Sequence, residues 1–331
     1  MSELAVTARR GHVIRRGLAS DRVGLIVAIA ALCVFISEKT PYFFDRTNFS
    51  NIGVAISYIG IITAGFALVM IAGGIDLSVG AIAALAGQVY AYTLNDGAPV
   101  GVAIALALAA GLVCGLFNSG LMVLIGINAI VGTIATQFLF RGIAYIFGGG
   151  GAASTAIADT TISDLANGKW LSVPVPTYLM FAVFLVVGLL YSFTQFGSNI
   201  AAVGGNRVAA RRAGIRVGWT MSSAYLISAL CAAVAGVLLV GLNGGSVPSA
   251  AMGIELTVLA GVIIGGTSLV GGVGSIFGAT LGVIGLGILT NGLNLLGVSA
   301  FMKPVALGVA LLFAISIDSL KQRRRAFRDE R

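Results

Sequence analysis

The sequence predicts an all-α polytopic membrane protein of about ten transmembrane helices, built from two inverted repeats. Of the 331 residues, 58% are hydrophobic and only 10% are charged, and the mean hydropathy is +1.02. Soluble globular domains are about a quarter charged, so this composition does not indicate one. Apolar segments of membrane-spanning length recur along the whole chain, and one hexapeptide of the first half returns in the second half.

The apolar segments fill the chain between two short tails. Ten of them reach or approach the roughly 20 residues that a helix needs to cross the hydrocarbon core. They are residues 22–37, 52–72, 77–94, 100–125, 129–147, 176–193, 219–242, 255–269, 275–295 and 301–317. The shorter ones are also compatible with half-helices that end inside the membrane. One membrane domain, 22–318, is therefore predicted between the tails 1–21 and 319–331.

Most basic residues lie in three clusters at the edges of these segments. The clusters are Arg9, Arg10, Arg15, Arg16 and Arg22; Arg207, Arg211, Arg212 and Arg216; and Lys321, Arg323, Arg324, Arg325, Arg328 and Arg331. Basic residues beside transmembrane helices mark the cytoplasmic side, so both termini and the middle loop are predicted to be cytoplasmic. Because the charges follow membrane edges, the net charge of +8 does not indicate nucleic-acid binding.

Residues suited to catalysis are scarce. The single histidine, His12, lies in the first tail, and the three cysteines lie inside apolar segments at Cys33, Cys114 and Cys231. The sequence therefore predicts no metal cluster, no disulfide framework and no histidine base in the membrane. It also lacks the Gly-Lys-Ser/Thr unit that cradles nucleotide phosphates. We predict no enzyme activity and no cofactor, and any ATP that drives the protein must be hydrolysed by another chain.

An internal repeat links the two halves of the chain. Gly-Ile-Asp-Leu-Ser-Val at 74–79 recurs as Gly-Ile-Glu-Leu-Thr-Val at 253–258. A weaker match follows each copy, Asn-Ser-Gly-Leu at 118–121 and Thr-Asn-Gly-Leu at 290–293. By the predicted span count the two copies follow helices of opposite direction, so the repeats are inverted. Inverted repeats with glycine-broken helices near mid-membrane are typical of transporters.

Ionisable residues inside the membrane are functional candidates, and the repeat supplies two, Asp76 and Glu255. A carboxylate there can also cap the following helix, and the order Gly-Ile-acid-Leu-hydroxyl favours capping; both interpretations stay open. Arg141 is predicted to pair with one carboxylate or to face a water-filled route. Amide side chains can hydrogen-bond an uncharged solute. The candidate translocation residues are Asp76, Glu255, Arg141, Asn118, Asn291 and Asn294.

The basic loop 196–218 is predicted to contain a short helix outside the membrane. Asn206 can cap its start, residues 208–213 form a helical run, and Gly214 can end it in the left-handed conformation. A helix this short needs a surface to dock on. A loop that only sets topology would need the basic residues but not the helix.

Four motifs, in order, resemble the ribose/xylose-type branch of ABC importer permeases between about residues 51 and 318. Ala-Val-Gly-Gly-Asn at 202–206, with Ala209-Ala210-Arg211 and Gly214-Ile215, is similar to the coupling loop of that family. The other motifs are Gly-Gly-Ile-Asp-Leu-Ser-Val-Gly at 73–80, Gly-Gly-Thr-Ser-Leu at 265–269 with Gly271-Gly272, and Asn-Gly-Leu-Asn-Leu-Leu-Gly-Val at 291–298.

This resemblance implies a permease subunit in the bacterial inner membrane that moves a small sugar by alternating access. It implies as partners a second permease subunit, ABC ATPase subunits, a periplasmic sugar-binding protein and the lipid bilayer. The ATPase-coupling residues would be Gly204, Gly205, Asn206, Ala209, Ala210, Arg211 and Gly214. The chain departs from the family at 128–136, where Asn-Ala-Ile-Val-Gly-Thr-Ile-Ala-Thr replaces a proline-led entry to the fifth span.

An ion-coupled secondary carrier is the alternative, because it also fits inverted repeats and buried carboxylates. It would not need a docking helix at 204–214, and this feature favours the ABC permease. The few charges along the predicted route match an uncharged, polyhydroxylated monosaccharide better than an ionic solute. The sequence does not identify the sugar, nor does it decide whether the second permease is another copy of this chain.

Overall fold

The computed structural model describes residues 23–150, 155–157 and 159–329, and it is almost entirely helical. The predicted tail 1–21 lies outside the described residues, whereas residues 319–329 of the second predicted tail continue the last helix. The helices are α1 (23–39), α2 (Arg46–Ile71), α3 (Val79–Asn95), α4 (Val100–Ser119), α5 (Ala129–Phe147), α6 (Thr161–Asn167), α7 (Val175–Phe193), α8 (Gln195–Gly205), α9 (Arg207–Arg212), α10 (Val217–Asn243), α11 (Ile254–Ile264), α12 (Ile276–Leu295) and α13 (Met302–Asp329).

Six helices among the described residues are long and apolar enough to cross a membrane: α2, α4 with its π-helical continuation Gly120–Ile125, α5, α7, α10 and α12. The limits predicted for α5 and for 100–125 agree with the structure. Shorter apolar helices occur at Ile254–Ile264 and Met302–Phe313. The chain is therefore a multi-pass, all-helical membrane protein, as predicted.

Helix α2 lies at the centre of the bundle. Of its most apolar part 78% is buried by protein, against 22% for α7. Side chains such as Ile61, Phe66 and Leu68 are fully buried, while Phe138 of α5 and Leu185 of α7 point outward. Outward apolar faces are suited to lipid, since hydrocarbon tails solvate them as well as a protein core does. The candidate sites described below adjoin the two ends of α2.

Glycine faces let the helices approach closely, as the four-residue spacing predicts. On α4, a Cβ at Gly111 or Gly115 would lie 2.5 Å or 2.8 Å from the alanine side chains of α10. Between α11 and α12, a Cβ on Gly282 would overlap the carbonyl oxygen of Gly261. Here backbone packs directly on backbone.

We expect Gly282→Ala to lower the free energy of unfolding by about 1–3 kcal/mol, because the added methyl must displace backbone atoms of α11. The measurement is thermal unfolding of the purified protein in detergent. Gly101→Ala on α4 is the matched control, since a Cβ there meets nothing within 4 Å and alanine is the better helix former. Equal unfolding temperatures for the two variants would contradict this contact.

Two short antiparallel strand pairs lie in the segments that connect the membrane helices at one end of the bundle. Thr155–Ala156 (β1) pairs with Gly245–Ser246 (β4), which follows α10, and Lys169–Trp170 (β2) pairs with Val173–Pro174 (β3). Helix α6 packs on the same end of α10, with Ile162 against Gly241. The described part of the segment between the predicted spans 129–147 and 176–193 is therefore held against the membrane helices.

Candidate functional site

The loop between α7 and α10 folds as two short helices, α8 and α9. Asn206 caps α9, with its Oδ1 accepting the N–H groups of Val208 and Ala209, each at 3.0 Å. Gly214 follows the helix with φ of +81°. The predicted helix, its cap and its left-handed end are all confirmed. The cause is local, because a short polar side chain and a residue without Cβ satisfy the two helix ends.

Helix α8 ends in a close contact with two other glycine motifs. A Cβ on Gly204 would overlap the carbonyl oxygen of Ile71 at the end of α2. The Gly272 N–H donates to that same oxygen at 2.8 Å. A Cβ on Gly271 would lie 2.6 Å from the Cα of Gly73. We call these residues, Ile71, Gly73, Gly204, Gly271 and Gly272, the glycine junction.

The outer surface of α8 and α9 faces away from the bundle. Among the predicted coupling residues, Ala210 is buried and Gly204 is half-buried, whereas the others are exposed: Gly205, Asn206, Ala209, Arg211 and Gly214. Arg207 also reaches back, where its Nη2 donates to the Gly73 carbonyl oxygen at 2.9 Å. The loop thus binds the junction on one side and presents an exposed basic surface on the other.

Asp76 lies in the turn between α2 and α3 and is fully buried. Its Oδ1 accepts from Ser78 N–H at 3.2 Å, from Ser78 Oγ at 2.6 Å and from Asn118 Nδ2 at 3.3 Å. Its Oδ2 accepts from Ser228 Oγ at 3.2 Å. We call Asp76, Ser78, Asn118 and Ser228 the Asp76 network. It joins this turn to α4 and α10, starting three residues after the glycine junction.

Glu255 and Arg141 lie close to the connection between α10 and α11. Glu255 Oε1 accepts from Gln137 Nε2 at 3.0 Å, and Arg141 Nη1 donates to the carbonyl oxygens of Pro248 and Ala250 at 2.7 Å and 2.6 Å. Arg141 therefore binds backbone carbonyls, which differs from the predicted pairing with a carboxylate. Arg141 Nη2 and Glu255 Oε2 are buried without a hydrogen-bond partner in the described structure.

Neither repeat carboxylate is itself the N-cap residue of its helix, which corrects the predicted position of the cap. Ser78 and Gly253 hold those positions, and Gly253 has φ of +80°. Glu255 sits in the first turn of α11, where the helix dipole still favours its charge. The two repeat copies also meet, since a Cβ on Gly80 would lie 3.0 Å from Glu255 Oε2.

Asn291 and Asn294 lie far from Asp76, near the other end of α2. Asn291 and Asn48 exchange two amide hydrogen bonds, of 2.8 Å and 3.1 Å. A cavity of about 260 Å³ lies between α2, α11 and α12, beside this pair. Its polar lining residues are Asn51, Tyr58, Thr257, Thr290, Asn291 and Asn294. The six predicted translocation residues thus form three separate groups.

Sequence reasoning missed Asn48 and Ser228, which complete two of these groups. A hydroxyl within an apolar helix gives little signal, because many bond their own helix backbone, as Ser57 and Thr63 do. An amide in a membrane helix is a stronger signal, because hydrocarbon offers it no partner. Asn48 precedes the first repeat copy at 74–79, so the repeat does not indicate it.

Comparisons with known proteins identify the family of the chain. Residues 48–317 match the family model described as the permease component of the branched-chain amino acid transport system. The ribose import permease protein RbsC of Escherichia coli K12 is 35% identical over 301 residues, covering 90% of this chain and 93% of RbsC. The chain belongs to the monosaccharide ABC permease family. The resemblance seen in the four sequence motifs is therefore confirmed.

Two further relatives of this permease extend the match. The L-arabinose transport system permease protein AraH of Escherichia coli K12 is 35% identical over 305 residues, covering 92% of each chain. RbsC of Bacillus subtilis 168 is 35% identical over 302 residues, covering 91% of the permease and 94% of the relative. No solved structure matches the permease significantly. The matched region includes the glycine junction, the Asp76 network and the cavity.

Proposed function

We propose that this permease is the translocation subunit of an ABC importer that carries a monosaccharide across the bacterial inner membrane. The observation that supports this best is the glycine junction, which connects an exposed basic loop to the turn that holds Asp76. A separate ATPase subunit docks on α8 and α9, and its closure moves the junction and the helices attached to it. A second permease and a periplasmic sugar-binding protein complete the importer.

The proposed topology has ten crossings with both termini in the cytoplasm. In it, Gly73 and α8–α9 share the cytoplasmic end, consistent with their contact, and Asn48 lies at the periplasmic end of the 26-residue helix α2. The two repeat copies meet at Gly80 and Glu255, as half-helices of inverted repeats do near mid-membrane. Alternating access is then a rocking of the repeats about this contact.

The proposed solute is an uncharged monosaccharide. The sugar permeases RbsC and AraH are similar to this chain over about nine-tenths of its length. We assign Glu255, Arg141, Asn291 and Asn294 to the translocation pathway. Asp76 and Asn118 hold the adjoining turn, because their side chains bond other protein groups in a fully buried network.

An ion-coupled carrier has no use for a basic loop that docks an ATPase, so the two mechanisms give different results in one experiment. We expect Arg211→Glu to reduce recovery of the ATPase subunit with the solubilised permease at least about tenfold, because a repulsive charge replaces an exposed arginine at the contact. The measurement is affinity purification from native membranes, followed by ATP-dependent uptake of ribose and arabinose.

Arg46→Glu is the matched control, because Arg46 is exposed at the opposite end of α2. It should leave recovery of the ATPase unchanged. Uptake that continues after ATP depletion and stops when the proton and sodium gradients are collapsed would instead establish a secondary carrier. Recovery of the ATPase with Arg211→Glu at the unmodified level would place the contact elsewhere.

A further inference from the structure

The cavity between α2, α11 and α12 lies at the end of the permease opposite the coupling loop. Its α2 wall extends from Asn51 to Ile59, in the first half of the helix, and its α12 wall extends from Val283 to Asn294, toward the end of that helix. Gly73 and the glycine junction follow the other end of α2, roughly 20–30 Å from the cavity by helical rise. In the proposed topology the cavity therefore adjoins the periplasm.

Several polar groups in this cavity have no partner in the protein. Asn51, Tyr58, Thr257 and Asn294 make no side-chain hydrogen bond within the described part of the chain, although all four line the cavity. Asn51 and Asn294 are exposed and Tyr58 and Thr257 are half-buried, so the four side chains are accessible from the cavity. Their amide and hydroxyl groups can therefore donate and accept hydrogen bonds with a polar occupant.

The lining also restricts what that occupant is. The described lining contains amides, hydroxyls and apolar side chains but no charged residue. Binding sites for small molecules are mostly apolar, with a few polar groups that fix the orientation of the ligand. The volume, about 260 Å³, falls just below the roughly 300–1,000 Å³ typical of drug-sized ligands. A small, neutral molecule with several hydroxyls fits both limits.

We infer that this cavity is a binding site for an uncharged monosaccharide on the periplasmic side of the pathway. The inference rests on the proposed function and locates a site that binds the solute during transport. Asn294 and Thr257 supply hydrogen bonds from α12 and α11, and Asn51 and Tyr58 supply them from α2. The Asn48–Asn291 pair fixes the spacing of α2 and α12, because each amide satisfies the other.

The first test is uptake by the permease reconstituted with its ATPase, at saturating ribose-loaded or arabinose-loaded binding protein. Asn294→Leu and Thr257→Val should each reduce the sugar moved per ATP about two- to tenfold, which is the value of one neutral hydrogen bond. Thr280→Val is the matched control on α12, because its hydroxyl bonds only the Ile276 carbonyl and lies outside the cavity.

The second test measures the cavity without transport. The thiol introduced by Asn294→Cys should react with a membrane-impermeant maleimide from the periplasmic side, and millimolar ribose or arabinose, but not glutamate, should slow the reaction at least about twofold. Oxidative cross-linking of two permeases through this thiol, with no maleimide reaction, would show that a second copy fills the cavity and would overturn the inference.

The two tests separate this inference from the proposed function. If both variants keep the unmodified sugar-to-ATP ratio while the unmodified permease shows normal ATP-driven uptake, the cavity is not a binding site. The proposed importer function would be unaffected by that result. If ATP does not drive uptake by the unmodified permease, the proposed importer function is wrong. Protection of the thiol by sugar would still support the cavity as a sugar site.

Discussion

Replacing Gly204 by alanine is expected to reduce the sugar moved per ATP at least about tenfold, whereas alanine at Gly205 should leave it close to the unmodified value. The two glycines are neighbours at the end of α8, and both belong to the predicted coupling motif. A Cβ on Gly204 would overlap the Ile71 carbonyl oxygen and lie 2.5 Å from the Gly272 nitrogen, while a Cβ on Gly205 meets nothing within 4 Å.

The physical reason is that backbone atoms cannot move aside as a flexible side chain can. Accommodating the methyl requires α8 to shift away from the end of α2, which opens the glycine junction. The coupling loop then moves without moving the Asp76 turn. We expect ATP hydrolysis to persist while sugar uptake falls, because the exposed face of α9 that meets the ATPase is unchanged.

Uptake and ATP hydrolysis measured on the same proteoliposomes test this prediction. Membrane abundance should be similar for the two alanine variants, and Gly204→Ala should have the lower unfolding temperature, because only its methyl must displace backbone atoms. Normal coupling in Gly204→Ala would show that the junction does not transmit motion. Loss of ATPase association in Gly205→Ala would show instead that the ATPase contacts that exposed glycine directly.

Local chemistry explains which parts of this structure were predictable from sequence. The cap at Asn206 and the left-handed end at Gly214 depend on single residues and their immediate neighbours, so both were predicted correctly. The limits of α5 were also predicted, because Asn128 can cap the start and glycines follow the end. The all-helical membrane class follows from composition and segment length alone.

The features that could not be predicted from the sequence depend on contacts between segments that are far apart in the chain. The three motifs of the glycine junction were each recognised, but nothing in their spacing indicates that residues 73, 204 and 271 touch. The position of the N-cap residue was predicted incorrectly for a related reason. The choice among Gly253, Ile254 and Glu255 as N-cap is made by backbone conformation, and the left-handed φ of Gly253 decides it. The partners of Asp76 and Asn291 come from helices far away in sequence.

Asp76→Ala is expected to lower the free energy of unfolding by at least about 3 kcal/mol, since it leaves several buried donors without an acceptor and each costs about 1–3 kcal/mol. Those donors are the Ser78 N–H and hydroxyl and the Ser228 hydroxyl, whereas the Asn118 amide keeps its bond to Ser78 Oγ. Asp96→Ala is the control, because Asp96 is exposed in a loop and its loss should change stability by no more than about 0.5 kcal/mol.

A double-mutant cycle with Ser228→Ala shows whether the network is the cause. If the Ser228 hydroxyl stabilises the protein through Asp76, the two changes together should cost less than the sum of their separate effects. The same variants also separate structure from transport. An Asp76→Ala permease that unfolds at the unmodified temperature but moves no sugar would place this carboxylate on the pathway itself. A permease that loses stability and uptake together would support the role assigned here, in which Asp76 fixes the turn that the coupling loop moves.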